Sequence, residues 1–336
     1  MRTHGFEAVG EEFVPNIDIS AFISDPSSPL VEETVEQVRR ACQLAGFFQI
    51  TGHGLPNEVL SELFAASKKF FALPMEEKKK LDARETIGRR GYDVLASQTY
   101  HKDVLPDLKE GFYVGHDFSP EDPFVRARRF FMGPNVWPQD DRLSSSEFRA
   151  PVERYFAAVH GLALRVLSLV ARTLPYGDHV FADFVQGHVV APLRLLHYPP
   201  ARDPTGAGSV QLGAGAHTDF GAITLLLQDG QPGLEVLDSR SNSWVPIAPT
   251  PGAFVVNVGD MLSAWTAGEY KSSVHRVVNR QPVDRYSAAF FFDGDLDCRL
   301  DPLDGSPPAV ANWTVEKHMI KRIQDSYGGG SERSTG

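Results

Sequence analysis

His217-Thr218-Asp219 is the first place in this sequence where side-chain type and spacing suggest chemistry. In extended chain, positions two apart point to the same side, so one imidazole and one carboxylate reach a common point. A third ligand must come from another segment, and His275 lies in a separate β-like run. Two histidines and one carboxylate on one face of a metal leave several coordination positions open. That arrangement suits iron(II), which needs room for a co-reactant and O2. Zinc catalysis more often keeps only one open position. Ten residues after His275 stand Arg285-Tyr286-Ser287. Alternation puts Arg285, Ser287, Ala289 and Phe291 on one side of a strand. A guanidinium beside a hydroxyl is a seat for a carboxylate, because arginine gives two parallel charge-assisted bonds. A lone His-x-Asp occurs by chance, and a lone Arg-x-Ser reads as a surface salt bridge. Their combination carries the weight.

The elements that must position these residues divide the chain. The first half reads mainly helical. Ser28 is expected to cap a helix with Pro29 in its first turn, followed by Val31, Val35, Val38 and Cys42 at helical spacing and a stop at Gly46. Phe47 to Ile50 reads as a short strand. Asn57 is expected to cap a second helix whose apolar side carries Leu60, Leu63, Phe64, Phe70 and Phe71. Residues 84 to 140 have little periodicity, which suggests a lid or substrate rim. A long amphipathic helix from Ser146 to about Thr173 follows. The second half is a series of short β-rich runs with glycine corners at 230, 233, 252 and 259. These are 193–198, 222–227, 234–237, 244–247, 253–258, 273–279 and 286–292. Such a pattern argues for a sandwich, barrel or jelly roll. A last helix, Val315 to about Ser326, precedes a Gly/Ser-rich tail. We divide the chain into an N-terminal helical and rim region (1–140) within one fold unit, a catalytic region (141–327) and a tail expected to be disordered (328–336).

Composition narrows the partner. The 336 residues carry 33 Lys plus Arg against 43 Asp plus Glu, a net charge of −10. That balance offers no electrostatic footprint for nucleic acid or an anionic membrane, which leaves a small-molecule partner. Cys42 and Cys298 form neither a zinc pattern nor a disulfide framework. The N-terminus lacks the apolar core of a signal peptide, and no apolar run is expected to span a membrane. The expected location is cytoplasmic, while oligomeric state is not legible.

Further motifs carry a resemblance. They include Gly46-Phe47-Phe48-Gln49-Ile50 with Gly52-His53-Gly54, then Lys68-Lys69-Phe70-Phe71-Ala72-Leu73-Pro74, Gly91-Tyr92 and Leu196-His197-Tyr198-Pro199-Pro200. The set continues through Ala216-His217-Thr218-Asp219-Phe220-Gly221, Gly233-Leu234-Glu235-Val236, Asn257-Val258-Gly259-Asp260, Ser273-Val274-His275-Arg276-Val277 and Arg285-Tyr286-Ser287. Together they resemble the isopenicillin N synthase-like branch of the Fe(II)/2-oxoglutarate-dependent dioxygenases, from about residue 14 to 325. Arg194 to Pro199 and Asp107-Leu108-Lys109-Glu110 are more similar to fungal, thymine-7-hydroxylase-like members. The resemblance implies an α+β fold, with a double-stranded β-helix (jelly-roll) core flanked by N-terminal helices and a C-terminal helix. It implies Fe(II) on His217, Asp219 and His275, with O2 and 2-oxoglutarate as cosubstrates. Arg285 and Ser287 would hold the distal carboxylate of 2-oxoglutarate, helped by Tyr198. Plant members often carry asparagine where this chain has Leu196, so that role is absent here or filled by another group. Phe291 is a candidate pocket wall or, equally, a core aromatic. Tyr92, Phe112, Tyr113 and Phe220 are further substrate candidates. The expected reaction is oxidation of a C–H bond in a small organic molecule, by default hydroxylation, with desaturation or ring expansion open. An aromatic polyketide bearing a methyl group is the leading substrate, and a nucleobase methyl group is the alternative. An iron oxidase that does not use 2-oxoglutarate and a non-catalytic binding protein are the rival functions.

Overall fold

The computed structural model describes residues 12–94, 107–139, 141–200 and 212–327. In the N-terminal region lie β1 (Asn16–Asp18), α1 (Ser20–Ser24), α2 (Val31–Leu44), β2 (Phe47–Thr51), α3 (Asn57–Phe71), α4 (Met75–Lys79), β3 (Gly91–Asp93), β4 (Glu110–Val114) and α5 (Pro123–Arg126). The long helix α6 (Arg149–Arg172) leads into β5 (Val189–Val190), β6 (Leu193–Tyr198), β7 (Ala214–His217), β8 (Ile223–Gln228), β9 (Leu234–Asp238), β10 (Ser243–Pro246) and β11 (Phe254–Val258). Then come α7 (Asp260–Trp265), β12 (His275–Val277), β13 (Arg285–Phe292), β14 (Gly294–Asp295) and α8 (Val315–Tyr327).

The strands form a major sheet of eight, in the order β1-β2-β11-β8-β13-β6-β4-β3, and a minor sheet of four, β10-β9-β12-β7. β5 and β14 pair separately. The N-terminal region is therefore less purely helical than its sequence suggests. Four of its strands extend the major sheet, β2 beside β11 and β4 beside β6.

The major sheet has two apolar faces. On β13, Phe290 and Phe292 belong to the large core built with α2, α3 and α6, whereas Ala289 belongs to a smaller core with Tyr198, Val236 and Phe47. The pleat explains this, since neighbouring residues must face opposite layers. In α6, ten of the eleven buried side chains belong to that large core. The helix has 24 residues and is long and apolar enough to cross a membrane, so the expectation that no run reaches this length does not hold. Its packing against α2, α3 and the sheet gives the ordinary reason for that composition.

Helix boundaries differ from expectation at both proposed caps. α2 begins at Val31, and Ser28 instead accepts a hydrogen bond from the Leu30 amide at 3.3 Å. Pro56, in extended conformation, occupies the cap position of α3, so Asn57 is already helical. The stop at Gly46 is as expected. Its φ is +64°, and a Cβ there would lie 1.7 Å from the Lys271 carbonyl oxygen. Only glycine combines that dihedral with that approach.

Candidate metal and cosubstrate site

β7 and β12 run antiparallel with His217 directly opposite His275. Their ring centroids are 4.3 Å apart. Asp219 follows two residues after the end of β7, and its Oδ1 lies 3.7 Å from Nε2 of each histidine. Ligand atoms of all three residues lie within 4.8 Å of one another.

The opposite side of each ligand is tied down. His217 Nδ1 lies 2.7 Å from the Gly215 carbonyl, and His275 Nδ1 lies 3.2 Å from the Ser273 carbonyl. A carbonyl only accepts, so Nδ1 carries the proton and Nε2 keeps its lone pair for a metal. Asp219 Oδ2 accepts hydrogen bonds from Thr224 Oγ1 at 2.5 Å and Asn257 Nδ2 at 2.8 Å. Its Oδ1 is left facing the histidines. Burial, with His275 alongside, holds His217 well below the ordinary imidazole range, which keeps it neutral. For Asp219, burial acts upward, but His275, His217 and the two hydrogen bonds outweigh it and keep the carboxylate ionised. Two imidazoles and one carboxylate, all oriented from behind, fit a divalent iron ion.

Arg285 is 0% exposed. Its Nη2 donates to Gln228 Oε1 at 2.9 Å and its Nε to the Gln231 carbonyl at 3.3 Å. The guanidinium stacks 4.8 Å above the ring of Tyr198, its register partner on β6. Among the described residues, Arg285 Nη1 and Ser287 Oγ have no hydrogen-bond partner although both are buried. Leaving such groups unpaired costs about 1–3 kcal/mol each, more for a charge. Both residues line the cavity that holds the triad, and a bound carboxylate would satisfy both. Leu196 sits opposite Ser287 in the same register and offers only an apolar wall.

The cavity wall sorts the aromatic candidates. Phe291, Tyr113 and Phe220 line it. Tyr92 and Phe112 do not, because they pair across β3 and β4 on the helix-facing side of the sheet. Phe112 packs 4.6 Å from Phe70 and 5.1 Å from Phe148. The Tyr92 hydroxyl donates to Glu110 at 2.5 Å. Their neighbours in the weakly periodic segment do reach the cavity, namely Lys109, Phe130 and Phe131. Lys109 Nζ is paired to Asp107 Oδ2 at 2.8 Å, and Asp107 Oδ1 accepts from the Gly215 amide at 2.9 Å. That bridge pins the strand carrying His217.

Sequence reasoning missed several of these residues. Asn257 reads as a turn residue in Asn-Val-Gly-Asp yet donates to the Asp219 carboxylate of the triad. Asp293 continues the inward alternation of β13 by one step and faces the same cavity. Burial, with Asp219 nearby, pushes its carboxyl up to about 8. The C-terminal helix also contributes: Met319 and Ile323 line the cavity. His318 Nε2 lies 3.0 Å from the Phe220 carbonyl, and Arg322 donates to Thr218 Oγ1 at 2.8 Å.

Comparison with known proteins agrees with this geometry. Residues 14–140 match the family described as non-haem dioxygenase in morphine synthesis N-terminal, and residues 190–294 match the 2OG-Fe(II) oxygenase superfamily. The 2-oxoglutarate-dependent dioxygenase citB of Monascus ruber is 50% identical over 94% of this chain and 96% of its own. Clavatol oxidase claD of Penicillium crustosum is 44% identical, covering 94% and 97%. Among solved structures, a full-length Neurospora crassa protein in complex with alpha-KG superposes with a TM-score of 0.78 at 27% identity, covering 92% of this chain and 95% of that one. The chain belongs to the Fe(II)/2-oxoglutarate-dependent oxygenases and uses iron, 2-oxoglutarate and O2.

Proposed function

We propose that His217, Asp219 and His275 hold the iron, that Arg285 and Ser287 hold the distal carboxylate of 2-oxoglutarate, and that the enzyme oxidises a C–H bond of a small aromatic metabolite. The observation that carries the cosubstrate assignment is the pair of buried, unpartnered donors, Arg285 Nη1 and Ser287 Oγ, in the triad's own cavity. Gln228 and the Gln231 carbonyl fix the guanidinium plane, so a carboxylate meets a preformed fork. Iron, when bound, supplies the redox chemistry by which O2 converts 2-oxoglutarate to succinate and CO2 while a substrate C–H bond is oxidised. The chain's own contribution is orientation and exclusion of water. Thr224 and Asn257 hold the Asp219 carboxylate in one rotamer, and the Gly215 and Ser273 carbonyls hold the two imidazoles.

The substrate reading rests on the wall. Phe130, Phe131, Phe220 and Phe291 give faces suited to a planar ring, and Arg194 adds a cation. Similarity to the protein named clavatol oxidase supports an aromatic secondary metabolite. Hydroxylation is the default outcome. Likeness in fold to the Neurospora crassa protein, whose solved complexes include one with thymine, is what favours a nucleobase methyl group as the second reading.

The test is anaerobic titration of the iron(II)-loaded protein with 2-oxoglutarate, watching for the weak visible charge-transfer band of the chelate. Succinate release is then screened against methylated aromatic compounds and thymine. If iron-replete protein gives no band, the 2-oxoglutarate assignment falls and Arg285 becomes a binder of the substrate's own carboxylate.

A further inference from the structure

Asp293 stands out once the cosubstrate end of the cavity is assigned. It is 2% exposed. Its Oδ1 is buried and has no hydrogen-bond partner among the described residues. Most buried side-chain polar atoms in folded proteins do have one, so a purely structural carboxyl would be expected to show it. The chain makes room for this group. A Cβ on Gly221 would lie 2.3 Å from Asp293 Oδ1, so the glycine keeps open the space beside that oxygen.

Its place along β13 says what it faces. Arg285, Ser287, Ala289, Phe291 and Asp293 all line the cavity. Thr224, which bonds Asp219, is the register partner of Phe291. The Asp219 carboxylate therefore meets the sheet on the Phe291 side of the carboxylate seat at Arg285 and Ser287. Asp293 lies farther from that seat, one residue past the end of β13 and one inward step beyond Phe291. Phe220, whose neighbour Gly221 abuts Asp293, lines the same cavity, as do Phe291 and Met319. An acceptor oxygen among rings and a thioether complements a planar substrate bearing an O–H donor.

We infer that Asp293 is a substrate-binding residue that accepts a hydrogen bond from a phenolic hydroxyl and so orients the ring above the metal. The inference rests on the reading of the site as an iron and 2-oxoglutarate centre, and it deepens that reading by naming a recognition group. A site built to bond a hydroxyl discriminates strongly against the analogue lacking it, because the buried partner is then left unpaired.

The experiment measures binding on the iron(II)- and 2-oxoglutarate-loaded enzyme under anaerobic conditions. The probes are methyl-substituted phenols and resorcinols, each beside its O-methyl ether, followed by calorimetry or equilibrium dialysis. The wild type is expected to bind at least one free phenol about tenfold more tightly than its ether. Asp293→Leu should erase that preference, and Asp293→Asn, which keeps an acceptor oxygen, should retain most of it. A structural role would instead lower the thermal midpoint of Asp293→Leu and leave the phenol-to-ether ratio as in wild type, which would overturn the inference. Should the leucine variant not fold, Asp293→Ala serves for the same ratio. No phenol preference in the wild type also overturns it. In either case, 2-oxoglutarate binding that depends on Arg285 keeps the parent reading intact, whereas absence of that binding defeats the parent reading itself.

Discussion

Replacing Arg285 by lysine isolates the cosubstrate seat. The guanidinium has three nitrogens in use or on offer: Nε to Gln231, Nη2 to Gln228, and Nη1 toward the cavity. Lysine keeps the positive charge but is a point donor, so it cannot hold Gln228 and present a second bond to a carboxylate in the same plane. One charge-assisted bond is lost, worth about 1.5–3 kcal/mol. The dissociation constant for 2-oxoglutarate should therefore rise roughly 10- to 150-fold. The assay is the anaerobic titration of iron-loaded protein. Its internal control is 2-oxobutyrate, which has the same 2-keto acid end and no distal carboxylate. Arg285→Lys should leave 2-oxobutyrate affinity unchanged. Equal weakening of both acids would mean the variant disturbs the metal site or the fold, and no weakening of either would mean the carboxylate binds elsewhere. The second result refutes the assignment, and the first refutes the argument that lysine removes only the distal carboxylate bond.

Asn257→Ala removes one of the two donors to Asp219 Oδ2, and iron(II) or cobalt(II) titration should show affinity lowered about 10- to 100-fold with the fold intact. Tyr92→Phe removes a hydrogen bond to Glu110 on the helix side of the sheet. Urea unfolding should show a loss of about 1–3 kcal/mol, while substrate KM stays at the wild-type value. His116 is held down to about 4, by burial first and then by His160 and Arg90. Its folded value lies below the unfolded one, so between about pH 6.5 and 4 the unfolded chain takes up a proton that the folded chain refuses, and stability falls as pH falls. The full shift would be worth about 3 kcal/mol, and partial exposure reduces this to about 1–2 kcal/mol. His116→Phe should remove that share of the difference between urea midpoints at pH 7 and pH 5, and an unchanged difference would sink the assignment.

What could be read from the sequence, and what could not, follows from the range of the interactions. β6, β8, β9, β11 and β13 are visible because each is a run rich in apolar residues bounded by turn residues. β1 and β3 are three residues long, too short to show a period. β4 is disguised by its leading Glu110. That carboxylate is buried against Lys78 at 2.7 Å, Tyr92 at 2.5 Å and His197 at 2.8 Å, partners brought from elsewhere in the chain. The missed caps at Ser28 and Asn57 have a local cause, since Pro56 already holds extended dihedrals at the cap of α3 and a turn precedes α2. In the site, His217 and Asp219 are legible as a two-residue spacing. Asn257 is not, because it meets Asp219 only through the pairing of β11 with β8. Tyr92 and Phe112 qualify for the pocket by their rings and their segment, but the pleat sends them to the other face. The same pleat points to Asp293, two residues beyond Phe291.

The cavity is also asymmetric in what its walls are tied to. The end at Arg285 and Ser287 is made by β6, β8 and β13, central strands whose backbone is paired on both edges. Another part of the wall comes from α8, a single helix that also grips the turn between His217 and Asp219. Arg322 of that helix bonds Thr218, which lies between His217 and Asp219, pairs with Asp260 at 3.2 Å and stacks 4.5 Å from Phe220. His318 holds the Phe220 carbonyl. Met319 and Ile323, from the same helix, face the cavity. A change in their bulk moves the helix, and a moved helix pulls on the turn between His217 and Asp219. Phe130 and Phe131 come from the segment after α5, where the Arg129 side chain and the Phe130 amide donate to Glu316 in the first turn of the same helix. On the proposed reading of the site, ring changes at residues 130 and 131 that keep the Phe130 backbone bond to Glu316 should alter the cavity wall and leave iron binding little changed, whereas changes on α8 must preserve the Arg322 and His318 contacts to the turn at Thr218.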